Sequence, residues 1–202
     1  STRMGTYLLV DSRRLDGFEG LHQAVHGTHV DVMQLGRGKL RGTLSHVGIG
    51  DFSLSIGSFN VGMRTRRIAS DEKLIIGMLL NAEDRVAHWS FDMQPSDVLV
   101  IPPLLEHDGI FHGASAYAAM RLGLDEVAEV FAGQPKLGDP DYWRSKNHFK
   151  ADPALGPTAA RRLARIVLQL TQHQNELTAT AAEFWRRSIA ECMAANVICS
   201  LP

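Results

Sequence analysis

Cysteine is scarce in this chain, with only Cys192 and Cys199 among 202 residues. Both fall on one predicted helix, where seven residues span roughly 10 Å, whereas a disulfide needs Cα atoms about 4.4–6.8 Å apart. The pair therefore reads as small apolar side chains of a reduced, cytoplasmic protein, which excludes a disulfide scaffold. Long apolar runs are also missing, and none approaches the roughly 18–20 residues of a membrane helix. Ser1–Val10 is too short and too weakly apolar for a secretory signal. Charge of one sign is not in excess either: the net charge is -1 and the pI about 6.7, so no whole-chain basic face is offered to nucleic acid. Basic residues gather only locally, at Arg64, Arg66 and Arg67 and at Arg161, Arg162 and Arg165, and both groups read as solvated faces.

Catalytic patterns are absent in the same way. Gly36-Arg37-Gly38 lacks the third glycine and the helix start of a phosphate loop, and no nucleophile elbow occurs. His22 and His26 have a helical i, i+4 spacing, but Gln23 stands where a metalloprotease would carry glutamate. His88, His107 and His112 share the strand-rich region without the three or four ligands that a metal requires. The cysteines have no local base to activate them. These absences lead us to expect no catalytic residue, no metal, no cofactor and no enzymatic activity.

What is present is a foldable chain, 45% hydrophobic and 21% charged, enough for one well-buried domain, or a domain plus a helical appendage. Asp16 and Glu19 have capping-box spacing, Phe18, Leu21 and Val25 share a face, and Gly27 can end the segment, which predicts a short amphipathic helix. From Val30 the hydrophobic period becomes two. It predicts strands at Val30–Leu35, Leu40–Val47, Phe52–Ile56, Met63–Ile68, Leu74–Leu80, Val86–Phe91, Val98–Ile101 and Ala116–Leu122. Gly48-Ile49-Gly50-Asp51 supplies a hairpin turn, and the run at Leu74–Leu80 suggests a central strand covered on both faces. Regularly spaced short strands of this kind imply a β-sandwich or barrel.

After Gly123 helical patterns take over. Asp125–Ala132 is a short helix, and residues 134–157 form a proline-interrupted connection pinned by Tyr142, Trp143 and Phe149. Two long helices follow, Thr158–Gln174 with Leu163, Ile166, Val167 and Leu170 in a stripe, and Leu177–Ile198. The last helix carries a wide apolar set: Phe184, Trp185, Ile189, Cys192, Met193 and Val197. One side of it can pack within the chain while the other meets a second subunit. The division expected is 1–123 for the strand-rich region and 124–202 for the helical one.

The order of these pieces, with "VDVMQLGRGKLRGTLSHVGIGDFSLSIGSFNVGMRTRR", "MQPSDVLVIPP" and the closing "RRSIAECMAANV", resembles the effector-binding and dimerisation domain of AraC-family transcription regulators. The resemblance runs from about Phe18 to the end. It implies an α+β fold, a cupin-like antiparallel β-barrel or jelly roll followed by a helical pair. It further implies a small-molecule effector, a homodimer through the C-terminal helices, and contact with DNA only through a C-terminal helix-turn-helix domain that this chain does not include. A cupin enzyme draws two metal-binding histidines at alternate positions of one strand; here His88 is followed at that spacing by Ser90.

No ligand contact carries over from the family by motif. The strand faces themselves suggest an apolar pocket from Phe52, Ile56, Met78, Trp89, Phe91 and Met120, with Arg64, His88 and His107 as polar contacts, suited to a partly apolar effector. Two other readings stay open at this point: a cupin-type metal enzyme, and a stand-alone small-molecule-binding dimer module.

Overall fold

Alternating burial organises the chain from Thr6 to Gly123. The computed structural model describes residues 5–17, 29–68, 72–173 and 175–200. Its strands in this stretch are β1 (Thr6–Asp16), β2 (His29–Gln34), β3 (Arg41–Ile49), β4 (Phe52–Phe59), β5 (Met63–Ile68), β6 (Lys73–Ala82), β7 (Val86–His88), β8 (Phe91–Met93), β9 (Val98–Ile101), β10 (Glu106–Phe111) and β11 (Ser115–Gly123). Then come a 3-10 turn (Leu124–Glu126), α1 (Val127–Val130), α2 (Pro140–Arg144), β12 (His148–Phe149), α3 (Leu155–Leu170), β13 (Glu176–Leu177) and α4 (Ala179–Ser200). This is an α+β chain in which every strand pair is antiparallel.

The strands form two sheets, one of order β12-β9-β6-β11-β4-β3-β1-β13 and one of order β2-β5-β10-β7-β8. Among the described residues no ladder joins them into a single closed cylinder. Side chains alternate across a strand, so the large sheet has two distinct faces. Leu74, Ile76, Met78 and Leu80 of β6 point into a core with the helices, whereas Ile75 and Leu79 point into a second core against the small sheet. The continuous apolar run of β6 is thus a central strand buried on both sides, as its sequence suggests.

The helical region shares the first core. Leu163 and Leu170 of α3, and Ile189, Cys192, Met193 and Val197 of α4, are fully buried against Val47, Phe52, Leu54, Val100 and Met120. The connection before α3 is pinned by aromatics as expected: Trp143 is fully buried, its Nε1–H donates to the Leu137 carbonyl at 2.7 Å, and its ring meets Phe131, Tyr142 and Phe149. The Ser96-Asp97 turn anchors the next stretch. Ser96 Oγ accepts from the Gly156 amide at 2.6 Å at the start of α3, and the buried Asp97 carboxylate accepts from the Gln94 and Ala151 amides and meets His148 Nε2 at 2.8 Å.

Several expectations are corrected. Asp16 does not open a helix: it ends β1, opposite Arg41, and pairs with Lys39 at 2.9 Å. The remainder of that predicted helix, with Phe18, Leu21, Val25, His22 and His26, lies outside the described residues. The segment 6–16 is a strand that its apolar cluster Tyr7-Leu8-Leu9-Val10 conceals, because burial follows alternation at Leu8 while Tyr7 and Leu9 stay exposed. Val86–Phe91 is two strands, since Trp89 and Ser90 form a turn and His88 pairs with Phe91. The strand β10 was not foreseen because its inward side is His107, Gly109 and Phe111, only one of them strongly apolar.

The last helix also differs. Its wide apolar face is covered within the chain, which removes Ile189, Cys192, Met193 and Val197 from any surface open to a partner. Phe184, 60% exposed, and the half-buried Trp185 remain at its edge. We therefore predict that Ile189→Asp, which buries an unpaired charge, lowers the unfolding free energy by more than about 3 kcal/mol. Phe184→Asp should cost less than about 1 kcal/mol, as surface changes do. Urea denaturation followed by circular dichroism checks the contrast; equal effects would contradict this packing.

Candidate ligand-binding cavity

Between the two sheets the second core is incomplete, leaving a partly open cavity of about 110 Å³. Its floor explains the gap. On the large sheet, Gly77 of β6 lies between Ala119 of β11 and Leu99 of β9, so the centre of the floor is glycine and alanine. A Cβ built on Gly77 would meet only the Ala118 and Leu99 carbonyl oxygens, at 3.6 and 3.9 Å, which is ordinary contact. Ile75, Leu79, Ile101, Phe59 and Tyr117 complete this side.

The small sheet forms the opposite wall, and its register fixes which residues face inward. Arg67 pairs with Val30 and His107, Thr65 with Val32 and Gly109, and Met63 with Gln34 and Phe111. His88 pairs with Gly109 and Val86 with Phe111. The intervening residues point outward: Arg64 is bidentate to Asp108 at 3.1 and 3.3 Å, and Arg66 binds Glu106. Gly109 has a steric duty here, because a Cβ would lie 2.9 Å from His88 Nδ1 and 3.0 Å from Thr65 Oγ1.

Two histidines dominate the polar corner. His88 Nδ1 and His107 Nε2 are 2.7 Å apart with the rings stacked at 4.8 Å, so one ring donates to the other and both are neutral. Burial is the main cause that lowers His88 to about 4 and His107 to about 3, the latter helped by His88 and Arg67. Trp89 supports the pair from outside the cavity: its Nε1–H donates to the Glu106 carbonyl at 2.9 Å, and its ring stands edge-on to His107 at 5.1 Å. It holds the left-handed conformation, with φ 49°, that a non-glycine residue rarely adopts. On the facing sheet the half-buried Tyr117 phenol is pushed up by desolvation, so it stays a hydroxyl donor.

The residues proposed from sequence divide sharply. Met78, His88 and His107 adjoin the cavity, although Met78 belongs to the helix-side core. Phe52, Ile56 and Met120 pack under the helices on the other face of the large sheet, and Arg64 lies outside the small one. The most apolar alternation marks the face that helices seal, not the face that holds a hollow. Arg67, Thr65, Tyr117, Phe59 and Phe111 were missed. Parity on β5 could have found the first two, since an inward Met63 places Thr65 and Arg67 inward and Arg64 and Arg66 outward. Among the described residues no three histidine, cysteine, aspartate or glutamate side chains converge as a metal site. The buried Cys192 thiol, pushed up by burial, lies in the helix-side core, with its Sγ 3.7 Å from the Ala159 carbonyl.

No protein-family model and no curated protein matches the sequence. Solved structures do. The AraC-like transcriptional activator CuxR is 13% identical over 86% of this chain, with a TM-score of 0.55. That likeness shows a shared fold, as the sequence resemblance implied, and this chain spans 63% of the activator's length. A cupin superfamily protein from Desulfitobacterium hafniense (19% identity, 47% of this chain and 78% of its own, TM-score 0.32) is also similar. So is a putative ethanolamine utilization protein Q from Salmonella typhimurium (10% identity, 48% and 97%, TM-score 0.30). At those scores neither likeness decides fold or function. Among the described residues no helix is long and apolar enough to cross a membrane.

The histidine pair sets a pH dependence. Each imidazole titrates lower in the folded chain than its ordinary value near 6.5, so the unfolded chain binds more protons below that pH. Stability is then fully present above pH 6.5 and falls as pH drops toward 4. Between pH 6.5 and 5 the loss should be about 2 kcal/mol per histidine, at 1.36 kcal/mol per pH unit. Urea titrations across this range should show the loss, and the His88→Gln/His107→Gln double variant should largely lack it.

Proposed function

We propose that this chain is the effector-sensing part of an AraC-type transcription regulator, a cytoplasmic protein that binds a small molecule and performs no catalysis. The observation that carries the reading is the hollow between the sheets, which has an apolar lining, a few convergent polar groups and a floor of Gly77 and Ala119. Small-molecule sites have this make-up. The shared fold with an AraC-like activator supports the regulatory context. Contact with DNA, on this reading, belongs to a further domain of the whole protein. Self-association would use what the helices leave exposed, Leu168 of α3 and Phe184 of α4, 64% and 60% exposed.

Gly77→Leu tests the reading directly, since its side chain should fill the cavity at little cost to the fold. Wild-type protein should gain several degrees in thermal midpoint with at least one compound of a small-metabolite screen, and the variant should gain nothing with the same compound. A screen in which every hit stabilises both proteins equally would sink the reading. Light scattering of Phe184→Glu addresses assembly separately: the unmodified chain should be dimeric and the variant monomeric, and a monomeric wild type at high concentration would remove the homodimer.

A further inference from the structure

Resting on the reading of this cavity as an effector site, we infer that its ligand is a small neutral alcohol or phenol, whose hydroxyl is bound by the His88–His107 pair and whose apolar body fills the hollow. Each neutral imidazole carries one N–H and one lone pair. His88 Nδ1 and His107 Nε2 use one of each on one another, at 2.7 Å. The outward nitrogens, His88 Nε2 and His107 Nδ1, therefore offer one N–H and one lone pair between them, whichever ring donates inside the pair. Among the described residues neither has a protein partner, and neither is sealed in the core. Both side chains are more than nine-tenths buried, at 8 and 6% exposed, and both line the cavity. Register turns them into the space between the sheets, and the Trp89 ring stands against His107 from the outer side.

A hydroxyl suits such a pair because it both donates and accepts, so it matches either outward nitrogen without fixing the tautomers beforehand. Charge on the ligand is disfavoured. No aspartate or glutamate lines the hollow to meet a cation, and Arg67, the one arginine or lysine of the lining, already has an interaction within the protein. An ion brought in would be desolvated without a counter-charge of its own. The histidines supply none near neutral pH, since burial holds both well below their ordinary value. A sugar is disfavoured too, because most of the lining is aliphatic or aromatic and would strand its further hydroxyls. Size limits the body of the ligand. At about 110 Å³ the hollow is somewhat smaller than the roughly 150 Å³ of an engineered cavity that takes benzene, so one ring reaching into the open side is the limit.

Phenol and toluene are the probes, matched in shape and differing in a hydroxyl against a methyl. Calorimetry compares them on the unmodified chain and on His88→Leu/His107→Leu, which removes both partners of the pair together and so strands neither. A wholly apolar cavity would favour toluene, because a buried hydroxyl without a partner loses its water. Here phenol should bind the unmodified chain at least as tightly as toluene. The double variant should weaken phenol more than tenfold and hold toluene within threefold. Should the variant not fold, the imidazole nitrogen resonances of the unmodified chain decide, since phenol should shift those of the outward nitrogens more than toluene does. Toluene bound tenfold more tightly than phenol, equal loss of both probes in the variant, or resonances shifted no more by phenol than by toluene would each overturn the alcohol class while leaving the effector cavity standing. Binding of neither probe would overturn it too, and the cavity itself is judged independently by Gly77→Leu.

Discussion

Everything in this structure depends on one constraint: the large sheet must bury both of its faces, and a strand can send only alternate residues to each. On β6 the division is complete, with Leu74, Ile76, Met78 and Leu80 on one side and Ile75, Gly77 and Leu79 on the other. The first side meets α3 and α4 across an apolar core. The second meets a sheet that is shorter and more polar, and there the packing stops short. Interiors are close-packed, so a void of this size reflects particular residues and not general looseness. Here Gly77 and Ala119 lie side by side on the floor of the hollow, where larger side chains would project into it.

The same constraint explains how charge is tolerated next to this core. On β5 and β10 the outward positions carry Arg64, Arg66, Glu106 and Asp108, which pair in solvent where such bridges contribute little. The inward positions carry Thr65, Arg67 and His107, where desolvation governs. Two buried imidazoles can coexist there only by staying neutral and binding each other, and Gly109 gives His88 the room to do so. The cost is a native state that holds its histidines uncharged in a pH range where the unfolded chain would protonate them. Trp89 bears part of that arrangement, since its strained backbone persists only with its indole tied to the Glu106 carbonyl.

Much of the fold was legible in the sequence because period and punctuation are local. Met63–Ile68 and Val98–Ile101 have the bounds their alternation and flanking turns imply, and Gly50 makes the positive-φ turn between β3 and β4. After β2 the Gln34 side-chain amide donates to the Gly36 and Gly38 carbonyls and shapes the loop. The cavity was less legible because it is defined by which sheet faces which, and that is long-range. Reading the strongest apolar alternation as the pocket selected Phe52, Ile56 and Met120, which are apolar because helices cover them. Likewise the breadth of the apolar set on α4 signalled how deeply it is buried, and a single chain proves sufficient to bury it.

The two faces are not independent. The strands that floor the cavity, β6, β9 and β11, are those on which α4 rests, and Met78 and Ala118 lie one residue from Gly77 and Ala119 on the opposite side. A shift of such a strand toward the helices meets a close-packed core, which has little slack to absorb it. On the proposed reading, occupancy of the hollow would bear on the seating of the helices through these shared strands. The size of that coupling is set by the difference in ligand affinity between two helix positions, not by the affinity itself. A ligand held only by apolar walls would register small differences, since those contacts vary gradually with distance. One held by polar groups of both sheets would span them, and its hydrogen bonds would weaken steeply as the sheets part.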